Sequence, residues 1–115
     1  MRTRLLVQLA GMPDESRLCH GDFHPWNVLG SETDATVVDW LDATAGSPAA
    51  DVCRSYVLLY PKVPELATDY VEAYAAAAGM TMTAIMAWLP VVAGARLAEG
   101  VPEDAAALMN MVGGG

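Results

Sequence analysis

Two short apolar segments on either side of a polar turn constrain the fold of this chain more than any other feature. The segments are 27–30 and 35–38, and the turn lies at 31–34. The β-branched residues in them suit a pleated, half-buried surface, so the pattern predicts an antiparallel hairpin. A tight hairpin brings its open ends together, and we therefore expect Asn27 to lie beside Asp39.

A helix and a very short strand are predicted before the hairpin. Apolar residues at helical spacing predict a helix over 2–11, and we expect Gly11 to end it in the left-handed conformation. A strand over 17–20 then enters a loop, 21–26, which Pro25 makes stiff.

Beyond the hairpin and a loop at 40–47, the patterns are helical only. Ser47 as cap and Pro48 as first helical residue predict a helix start. The expected helices cover 48–60, 65–78, a segment from Thr81 or Thr83 with a kink at Pro90, and a segment from Pro102 that frays over 111–115. Helix, short strands and then helices predict an α+β fold that is mostly helical.

Size and composition indicate one small domain. The chain has 115 residues, 54% of them apolar and 17% charged, which is typical of a packed globular protein. Its net charge of −8 argues against a nucleic-acid partner. The charge suits a cationic ligand, a metal ion or simply an acidic solvated surface. Cys19 and Cys53 lack the spacing of zinc ligands and are typical of reduced thiols in a cytoplasmic protein.

One uncharged stretch, 73–95, is long enough to span a bilayer. It is rich in Ala and Thr and contains Gly79 and Pro90, so it favours two buried helices instead. The basic N-terminus has an apolar run that is too short for a signal peptide and is interrupted by Gln8. We therefore expect no membrane partner.

Three motifs follow one another between residues 18 and 53. Residues 20–27 read His-Gly-Asp-Phe-His-Pro-Trp-Asn, residues 38–43 Val-Asp-Trp-Leu-Asp-Ala, and residues 46–51 Gly-Ser-Pro-Ala-Ala-Asp. The set resembles the aminoglycoside phosphotransferase (APH) family, relatives of the protein kinases. This resemblance implies the C-terminal lobe of a kinase-like fold, whose hairpin carries the catalytic and metal loops. It also implies phosphorylation of a small-molecule hydroxyl with ATP and Mg²⁺.

The resemblance implies a role for each polar residue of the motifs. Asp22 matches the catalytic residue that accepts or orients the hydroxyl proton. Asn27 and Asp39 match the two residues that hold Mg²⁺ against the nucleotide phosphates. His20 matches a residue that braces the catalytic loop, and Asp51 matches one that holds the backbone of that loop from behind. His24 either contacts phosphate or substrate or packs within the loop. Asp42 is a substrate-facing or supporting carboxylate, or else a solvated loop residue.

Taken singly, these residues have simpler explanations. Asp22 alone would be a turn residue, and Asn27 a cap or a polar group on an edge strand. Their spacing favours a site. Arg54 and Arg96 could offer charge to phosphate, but solvated or ion-paired helix residues are the simpler interpretation.

The nineteen residues before His20 contain no Gly-rich loop and no Lys, both of which a complete kinase has in its nucleotide-covering lobe. We therefore expect a single partial domain over 1–115, without the N-terminal ATP lobe. Its catalytic segment would cover 18–53 and its C-terminal helices 48–112.

Two other hypotheses stay open. The chain could be a non-catalytic module whose exposed apolar surface self-associates or binds a partner. The Gly-Asp-Phe-His run at 21–24 also resembles the start of metal-dependent phosphoesterases, although the later His motifs of that class are missing.

Overall fold

The computed structural model describes residues 1–13, 15–24, 27–31, 33–37 and 44–113. These residues form an α+β arrangement that is mostly helical, as predicted. The elements in chain order are α1 (Arg2–Ala10), β1 (Arg17–Cys19), β2 (Val28–Ser31), β3 (Asp34–Val37), β4 (Thr44–Gly46), α2 (Pro48–Leu59), α3 (Pro64–Ala78), α4 (Met82–Met86), α5 (Leu89–Ala98) and α6 (Ala105–Gly113), with a 3₁₀ turn at Pro102–Asp104 before α6.

Strands β2 and β3 form the predicted antiparallel hairpin, with Val28 opposite Val37 and Ser31 opposite Asp34. Gly30 has φ +105°, and a Cβ at this position would collide with the Asp34 carbonyl oxygen. Only glycine therefore suits this position. The predicted contact between Asn27 and Asp39 stays a prediction, because Asp39 lies outside the described residues.

A second small sheet corrects the expectation of a loop over 40–47. Residues Thr44–Gly46 form β4, which pairs antiparallel with β1 and places Cys19 opposite Thr44 and Arg17 opposite Gly46. A three-residue strand is too short to show a periodicity, and its partner is far away in sequence, so local patterns do not reveal it. The pairing brings the end of β1 close to the start of α2.

The glycines that follow α1 and α3 differ in backbone conformation. Gly79 ends α3 with φ +65°, in the left-handed conformation. Gly11 follows α1 with φ −87°, so the left-handed end expected there is wrong. The last turn of α1 instead tightens, since Gly11 N–H donates to Gln8 O (3.1 Å) and Met12 N–H to Leu9 O (3.0 Å).

The predicted kink at Pro90 is a complete break. Helix α4 ends at Met86 and α5 begins at Leu89. Proline has no N–H to donate to the carbonyl of Met86, four residues earlier, and it is tolerated in the first turn of a new helix. The expected fraying from Met111 is also wrong as far as Gly113, because Met111 and Val112 are buried in α6.

Helix α2 contributes to both hydrophobic clusters among the described residues. Val52 and Cys53 pack with Val71 of α3 and Ile85 of α4. The second cluster joins Val57 of α2 to α5 and α6, and contains Val57, Ala93, Leu108, Met111 and Val112. Burying an aliphatic side chain of this kind contributes about 1.5–3 kcal/mol, so α2 is the central stabilising helix.

Within the described ranges, no helix combines the length and apolar character needed to cross a membrane. The uncharged stretch 73–95 is divided among α3, α4 and α5, with Gly79 and the break before Leu89 between them.

Candidate functional site

Asp51 holds the backbone of the loop that follows β1. Its carboxylate accepts hydrogen bonds from the backbone N–H groups of His20 (3.0 Å) and Gly21 (2.8 Å). Hydrogen bonds to an ionised carboxylate are stronger than neutral ones. Ser47 fixes the start of α2 by accepting from Ala50 N (3.4 Å), and this start directs Asp51 at the loop.

Arg54 binds the same loop from the next turn of α2. Its Nε donates to the carbonyl oxygen of Gly21, and its Nη1 donates to Glu99 Oε1 at 2.8 Å. The interpretation of Arg54 as an ion-paired residue is therefore incomplete, since it missed the contact with Gly21. The sequence does contain a sign of this contact: Arg54 lies three positions after Asp51, which places both side chains on one face of the helix.

Glu99 connects this contact to Arg96 of α5, and Arg96 in turn reaches the 3₁₀ turn before α6. It also accepts from Arg96 Nη1 (2.6 Å), and Arg96 Nη2 lies 3.5 Å from Asp104 Oδ2. Partial burial raises the pKa of Glu99, but hydrogen bonds from Arg96 and Arg54 outweigh it and hold the pKa below its usual value. Arg96 is thus ion-paired, as the simpler interpretation had it.

His20 and Phe23 hold the loop from the other side. The Nδ1 atom of His20 accepts from Asp22 N–H (3.1 Å), and the buried His20 ring meets the Phe23 ring edge-on at 6.1 Å. Phe23 in turn stacks on Tyr70 of α3 at 5.6 Å. Burial raises the pKa of Tyr70 to about 12, against the opposing effect of its hydrogen bond with Ser55.

Asn27 closes the loop across Asp22. Its Nδ2 donates to the Asp22 carbonyl oxygen at 2.8 Å and lies 3.4 Å from Asp22 Oδ2. His24 joins them, with its Nε2 3.3 Å from Asn27 Nδ2 and 3.8 Å from Asp22 Oδ2. The structure therefore brings Asp22, His24 and Asn27 together. Asp39 and Asp42 lie outside the described residues.

The donor chemistry at Asn27 suits a hard cation. Since Nδ2 is used on Asp22, the Oδ1 atom is left with no hydrogen-bond partner in the described part of the chain. Amide and carboxylate oxygens are what Mg²⁺ prefers. Across the described ranges, no group of three or more His, Cys, Asp or Glu side chains could hold a metal. A cation at Asn27 would therefore need further oxygen ligands from residues outside the described ranges.

A cavity of about 280 Å³ opens beside Asp22. Its lining residues are Asp22, His24, Leu58, Lys62 and Arg96. The Asp22 side chain is 28% exposed, so a small molecule in this cavity can reach its carboxylate.

Comparison with sequence models of known families identifies the family of this chain. The sequence model of the phosphotransferase enzyme family (APH) matches residues 2–102, most of the chain. The chain belongs to the APH family. The resemblance seen in the motifs at 18–53 is thereby confirmed, and the match extends it over α1 and over the helices up to the 3₁₀ turn. The metal-dependent phosphoesterase hypothesis gains no support from this APH match.

Searches of the curated proteins and of the solved structures find no match for this APH-family chain.

Proposed function

We propose that this chain provides the catalytic half of an ATP-dependent phosphotransferase that acts on a hydroxyl group of a small molecule. Membership of the APH family supports the general reaction class. The observation that carries the proposal is the contact of Asn27 Nδ2 with both the carbonyl oxygen and the carboxylate of Asp22. It joins the proposed catalytic carboxylate to the proposed metal ligand.

In the proposed reaction, Asp22 orients the acceptor hydroxyl and takes its proton. The hydroxyl oxygen forms a bond to the γ-phosphorus of ATP, while the bond from that phosphorus to the bridging oxygen breaks and ADP leaves. Positioning supplies most of the catalysis in phosphoryl transfer. The hydrogen bonds from His20 and Gly21 to Asp51 support that role, because they fix the backbone just before Asp22.

Asn27 and Asp39 are proposed to hold Mg²⁺, with His24 close to the phosphates. When bound, the ion would neutralise charge on the β- and γ-phosphates. The exposed fraction of Asn27 is 7%, and its position is set by the hydrogen bonds to Asp22. A preformed amide oxygen supports the metal role, and Asp42 remains a proposed contact to substrate or to the metal ligands.

We also propose that residues 1–115 are a single partial domain, the C-terminal lobe of a kinase-like fold, and that it works in the cytoplasm. These residues contain no Gly-rich loop with a following strand Lys, so another segment or chain would cover the nucleotide. Two unpaired, buried cysteines support a reducing compartment.

Titration of the purified chain with Mg²⁺ and ATP, followed by calorimetry and by amide NMR, tests the proposal. We expect saturable binding with shifts at Asp22 and Asn27, and loss of binding in Asn27→Ala and in Asp39→Asn. Asn110→Ala, at an exposed position of α6, is the matched control. A folded chain that shows neither heat nor shifts with Mg²⁺ and ATP would overturn the proposal.

A second candidate function is a binding module, and α1 is the observation that favours it. No residue of α1 is buried, and Leu6, Val7 and Leu9 are 54%, 69% and 45% exposed. Such a surface favours self-association or a partner. Sedimentation velocity of the chain and of Leu6→Glu distinguishes the two functions. Concentration-dependent association lost in the variant, together with no binding of Mg²⁺ and ATP, would favour the module.

A further inference from the structure

The cavity beside Asp22 has a local charge that differs from that of the whole chain. The chain has 14 acidic and 6 basic residues, and Lys62 is its only lysine. Lys62 and Arg96 both line this cavity, together with Asp22, His24 and the apolar Leu58. Charges on a protein surface are screened beyond about 8–10 Å at physiological salt, so these nearby groups matter more to a ligand than the net charge.

The turn that follows α2 fixes the backbone of Lys62, whose side chain is exposed. Its N–H donates to Leu59 O (3.0 Å), Val63 N–H donates to the same oxygen (2.8 Å), and Pro61 and Pro64 stiffen the segment. Among the residues that the structure describes, Lys62 belongs to none of the ion pairs. Its ammonium group is therefore available to a ligand.

Arg96 is largely committed to the protein. Its Nη atoms face Glu99 and Asp104, whose charges compensate its own. Its Nε is buried and has no hydrogen-bond partner within the described ranges, which leaves one N–H of a cavity-lining side chain unused. The cationic group of the cavity that is not held by a carboxylate of the described residues is thus Lys62, since Arg96 is held by Glu99 and Asp104 and its Nε is buried.

We propose that the phosphoryl acceptor is a small hydroxylated molecule that carries a carboxylate or a phosphate, with its hydroxyl at Asp22 and its anionic group at Lys62. This inference rests on the proposed function and differs from the cationic ligand that the net charge of the whole chain would suit. A volume of about 280 Å³ is at the lower limit for ligand pockets, which range over roughly 300–1,000 Å³. The cavity therefore suits a compact acceptor.

Four three-carbon probes test the charge preference without nucleotide: glycerate, glycerol 3-phosphate, 2-amino-1,3-propanediol and glycerol. Each is titrated into the isotope-labelled chain at constant ionic strength and followed by amide NMR. We expect glycerate or glycerol 3-phosphate to shift the signals of Asp22 and Lys62 and to bind roughly tenfold tighter than the other two probes. The tighter of the two anions identifies the anionic group.

Lys62→Gln should weaken that binding by roughly tenfold, because it removes the charge and keeps a long polar side chain. Arg2→Gln removes a charge from the exposed face of α1 and should leave binding unchanged. Equal effects of the two variants, tighter binding of the amine, or no binding of any probe would each overturn the inference.

A parallel titration with Mg²⁺ and ATP separates this inference from the function on which it rests. Binding of Mg²⁺ and ATP without a preference for the anionic probes would overturn only the anionic acceptor. Failure of Mg²⁺ and ATP to bind would overturn the phosphotransferase itself, even if glycerate bound at Lys62.

Discussion

Asp51 and Arg54 hold opposite ends of one residue, Gly21. Asp51 Oδ1 accepts from the Gly21 N–H at 2.8 Å, and Arg54 Nε donates to the Gly21 carbonyl oxygen. Both side chains come from one face of α2, so the helix sets the position and the orientation of the backbone just before Asp22. The position of the loop that carries Asp22 is therefore determined by a helix that is itself part of the core.

Replacing Asp51 should destabilise the chain. Asp51→Asn removes the charge and replaces one of the two acceptor oxygens with an NH₂ group that faces a backbone N–H. We expect the free energy of unfolding to fall by about 1.5–3 kcal/mol, as for hydrogen bonds to charged groups. Urea unfolding at neutral pH measures it, with Asp69→Asn on the exposed side of α3 as control. Similar losses in the two variants would contradict the role assigned to Asp51.

Gly30 and Gly79 should respond differently to alanine. Both have positive φ, but a Cβ at Gly30 collides with the Asp34 carbonyl oxygen, whereas one at Gly79 meets nothing within 4 Å. We expect Gly79→Ala to cost about 1–2 kcal/mol from backbone strain alone, and Gly30→Ala to cost more. Thermal unfolding of the two variants gives the order. A smaller loss for Gly30→Ala would argue against the tight hairpin.

Glu99 should stabilise the chain in a pH-dependent way. Its folded-state pKa is below the usual 4.5, so its stabilisation is present above pH 4.5 and is lost as pH falls through the folded-state pKa. Because the Glu99 side chain is 39% exposed, solvent screening limits the effect to less than about 1 kcal/mol. Glu99→Gln should therefore be less stable than the parent at pH 7 and equal to it near pH 3 in urea unfolding. Glu103→Gln, at an exposed position, should show no such difference, and a gap that widened in acid would contradict the assignment.

Cys53 should be unreactive in the folded chain. It has no exposed surface, and burial raises the pKa of its thiol from 9.0 to about 12. A thiol with a pKa near 12 is almost wholly protonated at pH 8, and the thiolate is the reactive form. Iodoacetamide labelling followed by peptide mass spectrometry should modify Cys53 only in denaturant. Native-state labelling as fast as that in urea would show that the core around α2 does not form.

Local sequence signals predicted the elements that local chemistry determines. The Ser47–Pro48 start of α2 and the Gly79 end of α3 are examples, because capping and left-handed glycine depend on neighbouring residues. The hairpin is another, since its turn and strands are contiguous. At the site, the sequence pointed to Asp22, His24 and Asn27, which the structure places in contact.

Local sequence patterns could not predict features that depend on residues far apart in the sequence. Strand β4 forms because β1 is present, and Arg54 meets Gly21 across 33 residues of sequence. The charge of the cavity is another example, since Lys62 and Arg96 come together only in three dimensions. Net charge sums over the whole chain and therefore carries no information on this local arrangement.

The membership of α2 in both hydrophobic clusters has a consequence for how the loop before Asp22 can open. The amides of His20 and Gly21 belong to a loop, and loop amides ordinarily exchange with solvent after small local fluctuations. Here both amides donate to the carboxylate of Asp51, which belongs to α2. Helix α2 cannot move away from the loop without exposing Val52, Val57 and the side chains packed on them. Their hydrogen exchange should therefore be as slow as that of core amides, so that losing the site and losing the fold are a single cooperative event.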